Sequence, residues 1–130
     1  MHWLYCNDQE NDLELWERES SWRKVSGTAF QNQPTLNDNS AARGREPSNH
    51  EGKYWIGGFE NYTSSNQIVG ATGGDSPIGT MESEAFTLYS NKISFLIGGG
   101  CLNNVGVSLI YERNIVRTSR GTCSETMYQE

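Results

Sequence analysis

The sequence predicts an all-β domain in which short antiparallel strands form a sandwich. Its 130 residues are enough for one domain with one buried core. Only 35% of the residues are hydrophobic and 14 are glycine, a composition typical of short strands separated by many turns. Short apolar or alternating segments recur at roughly ten-residue spacing with turn residues between them, which is the pattern expected for a sandwich or barrel.

The first half of the chain predicts two strands separated by a long loop. Residues 22–30 predict a strand with a kink at Gly27. Residues 31–51 lack apolar periodicity and predict a loop. Loops of this length are uncommon in compact domains and are often functional, so this loop is the first place to look for a site. Residues 54–59 combine β-favouring aromatics with glycines and predict a buried strand.

The second half predicts a turn region followed by further strands. Residues 70–79 are rich in glycine and indicate turns, whereas residues 80–88 alternate imperfectly and predict a strand. Residues 93–97 form a nearly continuous apolar strand. Residues 105–117 predict a hairpin that turns at residues 112–114.

The N-terminal residues differ in composition from the rest. Four acidic side chains make this stretch polar, namely Asp8, Glu10, Asp12 and Glu14. Residues 7–19 fit either a short strand or a single helical turn, and the pattern leaves them unassigned. We therefore predict a polar, acidic N-terminal segment over residues 1–21 and a β-sandwich module over residues 22–130.

Charge and motif content narrow the classes of function. Ten basic residues against 16 acidic ones give a net charge of −6, which argues against nucleic acid and anionic membrane surfaces as partners. No apolar run approaches the roughly 20 residues of a membrane-spanning helix, so membrane insertion is not expected. His2 and His50 are the only histidines, and no Gly-x-Ser-x-Gly motif is present. The sequence therefore predicts no enzymatic activity.

Three cysteines and one sequon bear on the cellular compartment. A disulfide between Cys101 and Cys123 would staple a hairpin and stabilise the fold by roughly 3 kcal/mol. Cys6 is then left over, and the alternative is that all three cysteines are reduced. Asn61 begins an Asn-Tyr-Thr sequon for N-glycosylation, which has meaning only in an exported protein. These features favour an extracellular or secreted glycoprotein with a disulfide.

Three segments together resemble the galactose-binding-like jelly-roll modules attached to secreted glycoside hydrolases and other extracellular proteins. They are residues 52–60 (GKYWIGGFE), 74–80 (GDSPIGT) and 93–100 (ISFLIGGG), and the resemblance extends over roughly residues 22–127. It implies a two-sheet antiparallel jelly-roll sandwich that binds carbohydrate without catalysis, in some cases with a structural calcium. Modules of this kind continue beyond the Val116 hairpin into further strands. One expectation is therefore a module truncated at its C-terminus, with an exposed sheet edge open to association.

The candidate ligand-binding residues lie in the long loop and the strand after it. A sugar site needs flat aromatic faces together with planar polar groups that bind hydroxyls. Side chains that could meet this need are Tyr54, Trp55, Arg43, Arg45, Asn49 and His50. The alternative is that Trp55 is a core aromatic and that the arginines are solvated or pair with nearby glutamates. Asp75 could ligate calcium, although an Asx-turn is the favoured explanation; no other cofactor is expected and no metal site is assigned.

These residues leave two classes of function open. The first is a non-catalytic carbohydrate-binding or targeting module of an extracellular protein. The second is a structural or adhesion sandwich that contacts other protein domains, or a fragment of a glycoside hydrolase accessory domain. Exposure of Tyr54 and Trp55 beside the loop would favour sugar binding. Burial of both, with apolar surface exposed elsewhere, would favour protein contacts.

Overall fold

A computed structural model describes residues 3–6, 22–89 and 91–129 and confirms the antiparallel all-β fold class. One short helix accompanies the strands in these ranges. The elements are β1 (Trp3–Cys6), β2 (Trp22–Gly27), β3 (Thr35–Leu36), α1 (Asn39–Ala42), β4 (Tyr54–Gly57), β5 (Gly79–Ser83), β6 (Phe95–Gly99), β7 (Val107–Tyr111), β8 (Asn114–Ser119) and β9 (Ser124–Gln129).

The main sheet has five antiparallel strands in the order β3-β4-β1-β6-β9. Two further pairs, β2 with β5 and β7 with β8, each form a two-stranded ribbon. Strand β1 is the middle strand of the main sheet, although the sequence assigned it to a separate N-terminal segment. The sheet therefore extends into that segment, and the expectation for residues 7–19 lies outside the described residues.

Among the described residues, the buried core is centred on β4. Trp55 is fully buried and belongs to one cluster with Met127 of β9, against which Phe59 and Leu96 pack. The indole Nε1 of Trp55 donates a hydrogen bond of 2.7 Å to the backbone oxygen of Asn37. The aromatic run that predicted a buried strand therefore forms one, and its tryptophan ties the long loop to the sheet.

The long loop contains short regular elements that the sequence did not predict. Strand β3 pairs with β4, and the amide of Gln33 exchanges two hydrogen bonds of 2.7 Å with the backbone of Gly57. Helix α1 is capped by Asp38, whose carboxylate accepts from the backbone N–H of Ala41 at 3.1 Å. Elements of two and four residues are too short to produce a periodic pattern, so composition alone indicated a loop.

Other elements differ from the prediction mainly at their boundaries. The strand predicted over residues 80–88 ends at Ser83, and the exposed residues after it form no strand. The predicted kink is present, because Gly27 has a φ of +69° and a Cβ there would lie 2.0 Å from the backbone oxygen of Ile78. Strand β9 was not predicted. In the described part of the chain, no helix is long and apolar enough to cross a membrane.

A disulfide joins Cys101 and Cys123, as the sequence predicted, with their Cα atoms 5.1 Å apart. Cys101 follows β6 and Cys123 precedes β9, so the bond closes the base of the β7–β8 ribbon. The backbone N–H of Cys123 also donates to the oxygen of Gly99 at 2.9 Å. The ribbon is thereby fixed to two neighbouring strands of the main sheet.

Candidate functional site

The loop that the sequence singled out is held by a buried ion pair. Arg43 follows α1, and its Nη1 donates to Glu60 Oε2 at 2.7 Å and to the backbone oxygen of Asn39 at 3.2 Å. The Glu60 side chain is completely buried, and the amide of Asn39 also donates to its Oε2. The guanidinium of Arg43 lies 5.3 Å from the centroid of the Phe59 ring. Arg43 is therefore occupied by partners within the chain.

A second carboxylate links the same loop to the C-terminal strand. Glu125 of β9 accepts from Arg45 Nε at 3.1 Å and from the hydroxyl of Ser40. Arg43 Nη2 lies 3.5 Å from Glu125 Oε2, which is an ion pair rather than a hydrogen bond. We call Arg43, Arg45, Glu60 and Glu125 the charged cluster. It joins the loop, β9 and the turn after β4.

His50 and Trp55 form the other contact between the loop and the sheet. Their ring centroids are 5.9 Å apart with an interplanar angle of 26°, and His50 Nδ1 lies 2.7 Å from the hydroxyl of Ser48. Burial lowers the pKa of His50 below its ordinary value of 6.5, and this effect exceeds the opposing effect of the Asp38 carboxylate. His50 is therefore favoured as a neutral ring that packs against the core.

The six sequence-predicted site residues do not form one open binding face. Trp55 is completely buried, so neither face of its ring is available to a sugar, and Tyr54 is half-buried. Of the two alternatives for Trp55, the structure matches the core aromatic. Arg43 and Arg45 pair with glutamates, while Asn49 is exposed with a φ of +54°. Of the loop residues, Arg43, Arg45 and His50 contact other parts of the chain and so support the fold.

An open groove of about 490 Å³ lies on another part of the surface. One side is the β2–β5 ribbon, and the other is formed by the residues after β4 and those before β7. Its apolar walls include Phe59, Ile78 and Val105. Sites for small ligands have volumes of about 300–1,000 Å³ and mostly apolar walls, and the volume of this groove lies in that range, although the groove is open to solvent rather than enclosed.

The polar groups of the groove include two that have no hydrogen-bond partner among the described residues. Neither the Asp75 carboxylate nor the Asn104 amide hydrogen bonds to any residue in the described ranges, and Asp75 is exposed. Ser26 and Thr80 also line the groove, but their hydroxyls lie 2.8 Å apart and bond to each other. Within the described part of the chain, the groove thus presents one carboxylate and one amide without an internal partner beside apolar walls.

The two alternatives for Asp75 fare differently. An Asx-turn would need a backbone N–H two residues on, and that residue is Pro77, which has none. The Asx-turn prediction is therefore wrong, and the carboxylate is left for another role. No group of three or more metal-ligating side chains (His, Cys, Asp or Glu) occurs among the described residues, so nothing in the described part supports a calcium site.

Sequence reasoning missed the groove because its walls come from four distant segments. Asp75 had been singled out, but Phe59 was assigned only to a strand, and Ile78 and Asn104 carried no pattern. The free polar groups at Asp75 and Asn104 both belong to turns, which is the one feature that could have drawn attention to them.

Comparisons with known proteins give no relatives. No family model matches the chain, no curated protein matches it, and no solved structure matches it.

Proposed function

We propose that this domain is a non-catalytic carbohydrate-binding module whose groove holds one sugar unit. The observation that carries this proposal is that the Asp75 carboxylate and the Asn104 amide, which have no hydrogen-bond partner among the described residues, line the same apolar groove. Sugar hydroxyls bind to planar polar groups such as these, while the C–H face of a pyranose packs against aromatic and aliphatic side chains. Phe59 and Ile78 are in position to provide such a surface. The resemblance to galactose-binding-like modules supports the same ligand class.

A glycan screen of the folded protein, followed by NMR titration of the best ligand, tests this function. Asp75→Ala and Asn104→Ala should each weaken binding at least tenfold, because each removes a hydroxyl partner. Asn49→Ala is the matched control, since Asn49 is an exposed amide of the loop outside the groove. Added calcium or a chelator should change nothing, because the proposed contacts are direct.

Two results would contradict this proposal. If no glycan binds, the function is wrong for this domain. If Asn49→Ala loses binding while Asp75→Ala retains it, the sugar site belongs to the loop and the assignment to the groove is wrong.

An extracellular setting is part of the proposal. The Cys101–Cys123 disulfide supports it, because such bonds persist mainly in oxidising compartments. Asn61 is half-buried, its Oδ1 accepts from the Asn32 amide at 3.0 Å, and its Nδ2 has no hydrogen-bond acceptor among the described residues. Glycosylation uses that nitrogen. When the protein is expressed through a eukaryotic secretory pathway, its mass should increase, and a glycosidase should remove the increase. Asn61→Gln should abolish the increase. A secreted chain without this modification would refute glycosylation at Asn61.

A second function, contact with other proteins, is favoured by the burial of Trp55 and the half-burial of Tyr54, with apolar surface exposed elsewhere. The β7–β8 ribbon exposes large apolar side chains, among them Ile110, Tyr111 and Ile115. Exposed apolar groups that occur together indicate an interaction surface. This candidate uses a different part of the molecule from the groove walls at Asp75 and Ile78, so both functions can belong to one module.

A further inference from the structure

The groove beside the β2–β5 ribbon carries charge of one sign. Of the described residues that line it, only Asp75 has a charged side chain; the others are apolar or neutral, and none is lysine, arginine or histidine. The Asp75 carboxylate has no ion-pair partner among the described residues. A ligand in the groove therefore meets a negative charge that no side chain of the described walls neutralises.

Two arginines lie next to groove residues but do not belong to the described walls of the groove. The guanidinium of Arg43 lies 5.3 Å from the centroid of the Phe59 ring, and the buried carboxylate of Glu60 compensates its charge at 2.7 Å. Arg120 Nη2 donates to the backbone oxygen of Asn103 at 3.4 Å, and Arg120 Nε is buried. Both guanidinium groups are therefore engaged by partners within the chain.

The cationic side chains of the β2–β5 ribbon are also engaged outside the groove. Arg23 forms an ion pair of 2.6 Å with Glu82. Lys24 Nζ donates to the backbone oxygen of Gln31 at 2.7 Å. The ribbon therefore contributes hydroxyl groups to the described walls of the groove but no cationic side chain.

An unneutralised carboxylate discriminates between sugars by their charge. It accepts hydrogen bonds and donates none, and a bond from an ammonium group is charge-assisted and stronger than one from a hydroxyl. A uronic acid would bring a second negative charge into the groove, and like charges side by side cost free energy. The net charge of −6 acts in the same direction, because it attracts cations and repels anions.

We propose that the sugar unit in the groove is an amino sugar with a protonated primary amine. The Asp75 carboxylate binds the ammonium group, and the Asn104 amide binds a hydroxyl. This inference rests on the proposed sugar-binding function and adds the charge of the ligand to it. Asp75 is exposed, so water weakens the ion pair and the preference for the amine is several-fold rather than hundredfold.

NMR titration with matched methyl glycosides tests the charge of the ligand. The probes are the glycosides of glucosamine and galactosamine, with those of glucose, galactose, their N-acetylamino forms and their uronic acids for comparison. At about pH 6 the primary amines are protonated. In low salt each amine should bind about fivefold more tightly than its neutral counterparts, and each uronic acid should bind most weakly. At roughly 500 mM salt the preference for the amine should fall below about twofold, because salt screens an exposed pair.

Two neutralising variants locate the charge that is responsible. Asp75→Asn keeps the size and one acceptor oxygen, so the preference for the amine should fall below about twofold while the neutral glycosides lose less than about threefold in affinity. Glu51→Gln is the matched control, because it makes the same change in net charge at an exposed loop residue outside the groove. This variant should retain the full preference. Circular dichroism of both variants establishes that the fold is retained.

The outcomes separate this inference from the function on which it rests. If neutral glycosides bind and the amines bind no more tightly, the inference is wrong and the sugar-binding function stands. A preference that survives in Asp75→Asn, or that is lost equally in Glu51→Gln, would also overturn the inference. Tighter binding of the uronic acids would mean that Arg120 rather than Asp75 governs the groove. If no glycoside of any charge binds, the inference and the proposed function both fail.

Discussion

Neutralising Glu60 should destabilise the fold far more than neutralising a glutamate of an exposed ion pair. Glu60 Oε2 accepts from both Arg43 and Asn39, while its Oε1 has no hydrogen-bond partner in the described part of the structure. A glutamine at this position can keep both bonds through its amide oxygen and place its NH₂ where Oε1 was. Glu60→Gln therefore removes the charge while leaving the shape and the accepted bonds in place.

The expected loss follows from burial. A hydrogen bond to a charged group contributes about 1.5–3 kcal/mol, against about 0.5–1.5 kcal/mol for a neutral one. In Glu60→Gln the bond from Asn39 becomes neutral, and the bond from Arg43 keeps a charge only on its donor. In this variant Arg43 Nη2 still lies 3.5 Å from Glu125 Oε2. The charge of Arg43 therefore keeps one carboxylate partner, which limits the loss of stability. We expect Glu60→Gln to lower the free energy of unfolding by about 2 kcal/mol. Glu60→Ala, which also leaves donors unpaired, should cost about 3–5 kcal/mol.

Urea denaturation followed by tryptophan fluorescence measures these values, with Glu82→Gln as the matched control. Glu82 pairs with Arg23 at 2.6 Å, a shorter distance than the 2.7 Å of the Glu60 pair. However, its side chain is 42% exposed and that of Arg23 is 77% exposed, so this pair should contribute less than about 1 kcal/mol. If Glu60→Gln costs no more than Glu82→Gln, burial of the charged cluster does not stabilise this fold and the reasoning is wrong.

Three further predictions concern the backbone, the disulfide and pH. Gly27→Ala should lower the free energy of unfolding by about 3 kcal/mol, because the new Cβ would overlap the Ile78 oxygen. Gly44→Ala should lower it by only about 1 kcal/mol, because Gly44 has a φ of +78° but no neighbour within 4 Å of the new Cβ. Equal losses in urea denaturation would refute the overlap at Gly27. Replacing Cys101 and Cys123 together by alanine should cost roughly 3 kcal/mol, and a reducing agent should lower the melting temperature of the unmodified chain but not of this variant. Because burial holds the pKa of His50 below 6.5, its contribution to stability is complete above pH 6.5 and is lost as the pH falls from 6.5 towards the lowered value. His50→Gln should therefore show a smaller drop in unfolding free energy between pH 7.5 and pH 5 than the unmodified chain, and an unchanged drop would contradict this.

Local patterns were enough to predict the strands whose side chains are strongly apolar. The segments that became β4 and β6 have continuous apolar or aromatic runs, and the β7–β8 hairpin has a polar turn between two such runs. The disulfide was also predictable, because Cys101 and Cys123 flank that hairpin. In each of these cases the residues that specify the element lie within it or directly beside it.

The rest depended on contacts between distant residues. Strand β6 lies between β1 and β9 in the sheet, and neither of these two was predicted, although the four residues of β1 (WLYC) are apolar or aromatic. Whether Trp55 faced the core or a ligand could not be decided from its strand, since the same aromatic run fits both. The outcome depends on Met127 and on the backbone oxygen of Asn37, which cover and bind the indole. The groove likewise exists only after separate turns have come together.

The order of strands in the main sheet also determines when the sheet can form during synthesis. The middle strand, β1, is made first, yet its neighbours β4 and β6 begin at Tyr54 and Phe95. At translation rates of about 5–20 residues per second, β6 is synthesised several seconds or longer after β1. During this time the backbone groups of β1 that pair with β6 have no partner in the sheet. The buried face of β4 gains Met127 only when β9 emerges. The main sheet of this domain therefore stays incomplete until β9 has been synthesised.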